Sequence, residues 1–175
     1  MSHNQPPQSH YALMAVFGEA AKHSDYQGPL PSHFNALPWF RFDKPHRAEQ
    51  ACDLMRTARR LLLLQEPFEL MGEAPKQLGK EGQTASVAVS SSTDLFALHM
   101  ELAEGFTEEY GGISFAYPEY NQGGYLAHVT PTPELPFAVG DRLLVDSIAL
   151  VEGNAVEGER TPKRTIRVIG AVGLL

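Results

Sequence analysis

Two short stretches carry residue types suited to proton transfer. Ser32-His33-Phe34-Asn35-Ala36-Leu37 and Tyr125-Leu-Ala-His128-Val129-Thr130-Pro-Thr132 each place a polar side chain two positions after an imidazole, with an apolar residue between. An extended strand alternates its side chains. His33 and Asn35 would therefore share one face, as would His128 and Thr130, while Phe34 and Val129 anchor the opposite side. Two histidines across a cleft suit in-line displacement at phosphorus. One neutral imidazole takes a proton from the attacking water or hydroxyl, and the other, protonated, gives one to the leaving oxygen. Histidine serves both tasks because its unperturbed pKa, roughly 6.5, lies near neutral pH. The Thr130 hydroxyl and the Asn35 amide can donate hydrogen bonds to the non-bridging phosphate oxygens. This chemistry demands no metal and no cofactor. Which histidine is the base stays open, and two structural strand histidines are the competing reading.

The elements that must position these residues can be read along the chain. The apolar run Tyr11–Phe17 has the pattern of a strand buried on both faces. A Gly/Pro/Ser-rich stretch, 28–32, leads to a second strand from His33 to about Phe42, where Pro38 implies an edge position or a bulge. Pro45 opens a helix over about 46–64. Ala51, Leu54, Met55, Ala58, Leu61 and Leu62 line one of its faces, and Arg47, Glu49, Asp53, Arg56, Arg59 and Arg60 form a solvated remainder. Phe68 and Leu70 alternate in a short strand, followed by a polar loop over 73–83. Ala85, Val87 and Val89 alternate in the next strand.

Ser91-Ser-Thr-Asp94 reads as a helix start, with Leu95, Leu98, Leu102, Ala103 and Phe106 on one stripe. His99 beside that stripe reads as a packed, hydrogen-bonded histidine. Residues 105–124 read as a loop rich in Gly and Tyr. Tyr117, Tyr120 and Tyr125 precede the second histidine, where one of them could stack on a nucleobase. Two strands, Leu143–Val151 and Thr165–Val172, close the chain around a hairpin loop containing Gly153 and Gly158. Helices that follow pairs of strands predict an α+β fold with largely antiparallel sheets. A loose two-fold echo gives each half one helix and one histidine strand.

The 175 residues suit a single domain over 11–175, with 1–10 as a flexible tail. Apolar content of 43% and charged content of 20% are those of a globular chain. The net charge of −7 argues against gripping long nucleic acid by counterion release, but it leaves room for a small anion in a locally positive cleft. Cys52 is the one cysteine, so the expectation is a reducing cytoplasm. The polar first ten residues and the lack of a long apolar run lead to no expected membrane association. Oligomeric state is not legible.

The pair of motifs resembles the two-histidine phosphoesterase superfamily, which includes the 2′-5′ RNA ligase-like proteins and cyclic nucleotide phosphodiesterases. Its signature is a pair of His-x-Thr/Ser motifs, each followed by an apolar residue, one in each half of a bilobal fold. His128-Val129-Thr130 matches the second motif directly, and the order of elements resembles the family over about residues 11–172. The resemblance implies a bilobal, duplicated α+β fold of two largely antiparallel sheets with a central cleft and a helix in each half. It also implies that His33 and His128 are the acid/base pair and that Asn35 and Thr130 contact phosphate; Tyr125 and Tyr120 are substrate-binding candidates from their place just before the second motif. Asn35 departs from the expected Thr or Ser, and Pro131 follows Thr130 where the family has an apolar residue able to donate to the ladder. Pro131-Thr132-Pro133 supplies none of the basic charge that RNA-processing members often carry there. Arg41, Lys44, Lys163 and Arg164 are the candidate cations for a place near a phosphate.

The expected function is a metal-independent phosphodiesterase acting on a cyclic phosphate of a small nucleotide or RNA end. The alternatives are a catalytically weakened nucleotide- or RNA-end-binding protein of the same fold, or an RNA 2′-5′ ligase.

Overall fold

The apolar run near the N-terminus builds the strand that feeds both sides of the sheet. β1 (Ser9–Val16) alternates between two clusters, with Tyr11, Leu13 and Ala15 in the main core and Ala12 and Met14 in a smaller one on the opposite face. The protein is seen in a computed structural model that describes residues 9–18, 25–44, 50–79, 82, 84–154 and 165–175. The expected tail over 1–10 therefore falls mostly outside the described residues, as do the start of the first helix, Gly158, Lys163 and Arg164.

After β2 (Gln27–Gly28), β3 runs from His33 to Phe42. Its register against β1 slips twice, passing from Tyr11↔Phe40 to Leu13↔Leu37 and then to Met14↔Asn35. Pro38, which has no N–H to give a ladder, lies within the first slip, so the bulge expected from sequence is the outcome. The chain continues through α1 (Gln50–Leu61), β4 (Phe68–Leu78), β5 (Thr84–Ser90), α2 (Leu95–Tyr110) and β6 (Ile113–Phe115). Two short 3₁₀ turns, Pro118–Tyr120 and Gln122–Gly124, lead to β7 (His128–Thr130), followed by β8 (Arg142–Val145), β9 (Ser147–Asn154) and β10 (Ile166–Gly173).

The fold is α+β with a large antiparallel sheet, ordered β2-β10-β9-β1-β3-β7-β5-β4-β8, with β6 added to β3. The two antiparallel halves are hydrogen-bonded into one sheet, and they meet where β3 pairs with β7. The closing strand β9 returns to β1 and β10 pairs on β9, so the end of the chain completes the half that holds the first histidine. Both helices pack on the core face: Leu54, Met55, Ala58 and Leu62 from α1 and its end meet Leu95, Leu98, Leu102, Ala103 and Phe106 of α2 in the main core. The opposite face is left to the histidines and the smaller cluster around Met14, Trp39 and Val151.

Several local expectations change. The strand expected over Leu143–Val151 is two, β8 on β4 and β9 on β1, and Gly153, expected in the hairpin loop, lies in β9. The polar loop expected over 73–83 is strand as far as Leu78, because the β4–β5 ribbon is held by its ladder while the outer half of β4 buries neither face. The loop expected from Gly105 is helix to Tyr110. Gly105 sits where α2 meets α1, and a Cβ there would lie 2.5 Å from Leu61 Cδ2; the helix ends only at Gly111, with φ of 75°. The start of α2 is capped by Asp94 rather than Ser91, its carboxylate accepting from the Ala97 N–H at 3.0 Å. Among the described residues no helix is long and apolar enough to cross a membrane. Cys52 is exposed on α1.

Candidate active site

The site grows from the seam between the two halves. In the β3–β7 ladder His33 faces Thr130 and Phe34 faces Val129. Phe34 and Val129 are fully buried in the main core, with Phe34 meeting Phe68 edge-on at 6.2 Å. Their burial turns His33, Asn35, His128 and Thr130 to the other face. His33 and His128 are diagonal neighbours across the seam, a relation that puts backbones roughly 7–8 Å apart. Both imidazoles therefore stand on the same face of the seam, near enough for His128 to bear on the titration of His33.

Each imidazole is held in the same way. His33 Nδ1 donates to the carbonyl of Pro31 at 2.9 Å, and His128 Nδ1 donates to the carbonyl of Leu126 at 2.8 Å. In both motifs the acceptor lies two residues upstream. A carbonyl can only accept, so each Nδ1 carries hydrogen and Nε2 is the nitrogen left to exchange a proton. The surroundings are unequal. Burial pushes the His33 pKa down to about 4, opposed by the Pro31 hydrogen bond and reinforced by the nearness of His128. Burial also lowers His128, opposed by its bond to Leu126. The partly exposed His128 is the less enclosed ring.

The flanking polar groups differ between motifs. Thr130 Oγ1 lies 3.3 Å from Ser86 Oγ, from a buried residue on β5. Asn35 has no such neighbour: its Oδ1 is buried without a hydrogen-bond partner among the described residues. Its backbone carbonyl accepts instead from the Tyr125 hydroxyl at 2.7 Å. Burial raises the Tyr125 pKa far above its ordinary value, so that hydroxyl stays a donor. The Tyr125 ring lies flat on His99, with centroids 4.0 Å apart and planes 3° apart. Tyr120 is in the first 3₁₀ turn with its ring 6.4 Å from that of Tyr117, and no described contact joins it to the histidines.

His99 is the packed histidine expected from sequence. Fully buried, it donates from Nδ1 to the Ala36 carbonyl and accepts at Nε2 from the Gln122 N–H, each at 2.9 Å. It thereby ties α2 and the 3₁₀ turn to the strand bearing Asn35. Ser32, buried beside His33, bonds the turn after the second motif: its Oγ donates to the Leu135 carbonyl at 2.8 Å and accepts from the Thr132 N–H at 2.7 Å. Ser32 and Ser86 do not stand out in the sequence, because serines acquire meaning only from a register between distant strands. Of the candidate cations, Arg41 is exposed and pairs in register with Ser114, and Lys44 is exposed just beyond β3. Among the described residues no group of three His, Cys, Asp or Glu is placed to hold a metal ion.

No family model and no curated protein matches the sequence. Solved structures do match. The chain is similar to TT0787 of Thermus thermophilus, at 18% identity and a TM-score of 0.57 over 94% of this chain and 97% of that one. It is also similar to LigT of E. coli complexed with 3′-AMP, at 15% identity and a TM-score of 0.55 over 97% and 99%. Apo LigT gives 16% identity and a TM-score of 0.52 over the same shares. At these identities the likeness is one of fold.

Proposed function

We propose that the protein is a phosphodiesterase that opens a cyclic phosphate of a small nucleotide or RNA end, with His33 and His128 as its acid/base pair. The observation that carries this reading is the matched anchoring of two histidines on adjacent strands, each with Nδ1 tied to a carbonyl and Nε2 free to exchange a proton. The fold shared with a protein solved in complex with 3′-AMP supports a nucleotide phosphate as the ligand.

The unequal surroundings divide the roles. His33, held neutral by burial, takes the proton from the attacking water, and His128 delivers one to the leaving ribose oxygen. Water adds to phosphorus as the ring P–O bond breaks, so no co-reactant beyond water is needed. Thr130 and the Asn35 amide donate to the non-bridging oxygens. With the 5′-hydroxyl of a second RNA end attacking in place of water, the same ring opening, the 3′ oxygen leaving, would join strands, which keeps 2′-5′ ligation as a related activity.

The test is hydrolysis of nucleoside 2′,3′-cyclic phosphates in the presence of a chelator. Turnover is expected in the natural protein and should fall by about two to four orders of magnitude in His128→Ala. Undiminished turnover in that variant refutes the assignment. One observation favours a second reading, a binding protein with weakened catalysis. Asn35 stands where a hydroxyl would serve and leaves its own Oδ1 unpartnered. If the natural protein is inactive and Asn35→Thr gains turnover, that second reading is the better account.

A further inference from the structure

The polar line at the seam does not end at Thr130. Reading across the sheet, His33 pairs with Thr130, and the Val87↔Val129 register puts Ser86 next, where its hydroxyl meets Thr130. Ser86 in turn pairs with Lys76 on β4. Directly paired residues share a face, so His33, Thr130, Ser86 and Lys76 form one line over four strands. The adjacent line agrees with that facing: Phe34, Val129 and Val87 all point into the main core. Lys76 is exposed, and among the described residues its ammonium makes no ion pair or hydrogen bond. Arg142, on the edge strand beyond, is instead held by Glu69 at 2.8 Å.

The distances separate Lys76 from the reacting phosphate. Strands lie about 4.8 Å apart, which puts the Lys76 backbone roughly 12 Å from the middle of the β3–β7 seam. Its flexible four-carbon stem closes part of that gap. The ammonium then reaches a group next to the phosphate between the histidines rather than that phosphate itself. The two hydroxyls can share their hydrogen bond in either direction; with Ser86 as the donor the threonine proton is free for the reacting phosphate, and the line then offers one donor to each of two anions.

We propose that Lys76 forms a second anion subsite on the β4–β5 flank of the site, seating a further phosphate of the substrate. The inference rests on the phosphodiesterase reading and deepens it. The favoured substrate carries a phosphodiester beyond the cyclic phosphate, and a nucleoside with the cyclic phosphate alone leaves this subsite empty.

The experiment compares kcat/KM for a nucleoside 2′,3′-cyclic phosphate and for a dinucleotide ending in one, in the natural protein, Lys76→Ala and Lys76→Arg. It also measures equilibrium binding of a nucleoside 3′-phosphate and a dinucleotide 3′-phosphate as salt is raised. The natural protein should prefer the dinucleotide by about tenfold, the scale of one charge-assisted contact. Lys76→Ala should bring that ratio close to one, and Lys76→Arg should retain most of it. The salt slope of dinucleotide binding should fall by roughly 0.7 in Lys76→Ala, as for one lost contact to a single strand. An unchanged ratio or an unchanged slope overturns the subsite. Lys76-dependent binding without turnover on either substrate keeps the subsite and removes the catalytic reading. Histidine-dependent turnover with no effect of Lys76 does the reverse.

Discussion

His33 and His128 share an anchor but not an environment, and that difference sets the expected pH behaviour. On the phosphodiesterase reading, the productive form has His33 neutral and His128 protonated. Burial holds His128 below the ordinary 6.5, so its protonated fraction drains away as pH rises, and kcat/KM should already be declining before pH reaches that value. On the acid side His33 captures a proton near its lowered pKa of about 4, and kcat/KM should fall again. A pH–rate profile should therefore be bell-shaped with its maximum below neutrality, its two limbs belonging to the coupled pair. A maximum above pH 7 would contradict the assignment of base and acid. At this scale the sequence is informative where the signal is local. The alternation of His33 with Asn35 and of His128 with Thr130 can be read directly. The carbonyls of Pro31 and Leu126, the orphaned Asn35 Oδ1 and the Ser86 hydroxyl cannot, since each depends on where the backbone turns or which strand lies alongside.

Elements are legible in proportion to what they bury. β1 and β3 are visible because their side chains enter the core, and β3 spans the expected His33–Phe42. The outer half of β4 buries almost nothing and carries no apolar rhythm, which is why it reads as loop and why Lys76 passes for a loop charge. Gly105 and Gly111 look alike in sequence, yet one is a helix contact and the other a helix end. Gly72 marks another close approach. A Cβ there would overlap the carbonyl oxygen of Ala138, on the turn whose Gly140 N–H bonds the Gly72 carbonyl at 2.9 Å. Because backbone rather than a flexible tip would have to yield, Gly72→Ala should cost about 1–3 kcal/mol. Denaturant unfolding would show this as a lower midpoint with an unchanged slope; an unchanged midpoint would show that the turn gives way freely.

At the scale of the molecule, the α+β class and the presence of one histidine strand in each half follow from the order of elements, whereas the pairing of those strands, which joins the halves into one sheet, does not. No local pattern says that the closing strands cross back to β1, because Leu13↔Leu150 and Ala12↔Val151 bring together residues more than a hundred positions apart. Nor does any say that the halves meet over so short a ladder as His33↔Thr130 and Phe34↔Val129, with Ser32 tying the turn beyond. That shortness has a consequence. Proteins open locally at free energies below that of global unfolding, and sparse hydrogen bonding marks where. Each half contributes one imidazole, so parting at the seam would separate the proton donor from the acceptor while leaving helices and outer strands in place. Turnover should then disappear at a lower urea concentration than the far-ultraviolet dichroism does, and coincident curves would mean that the seam is as strong as the rest. If the phosphodiesterase reading holds, the rate of turnover is a gauge of whether the two halves are closed.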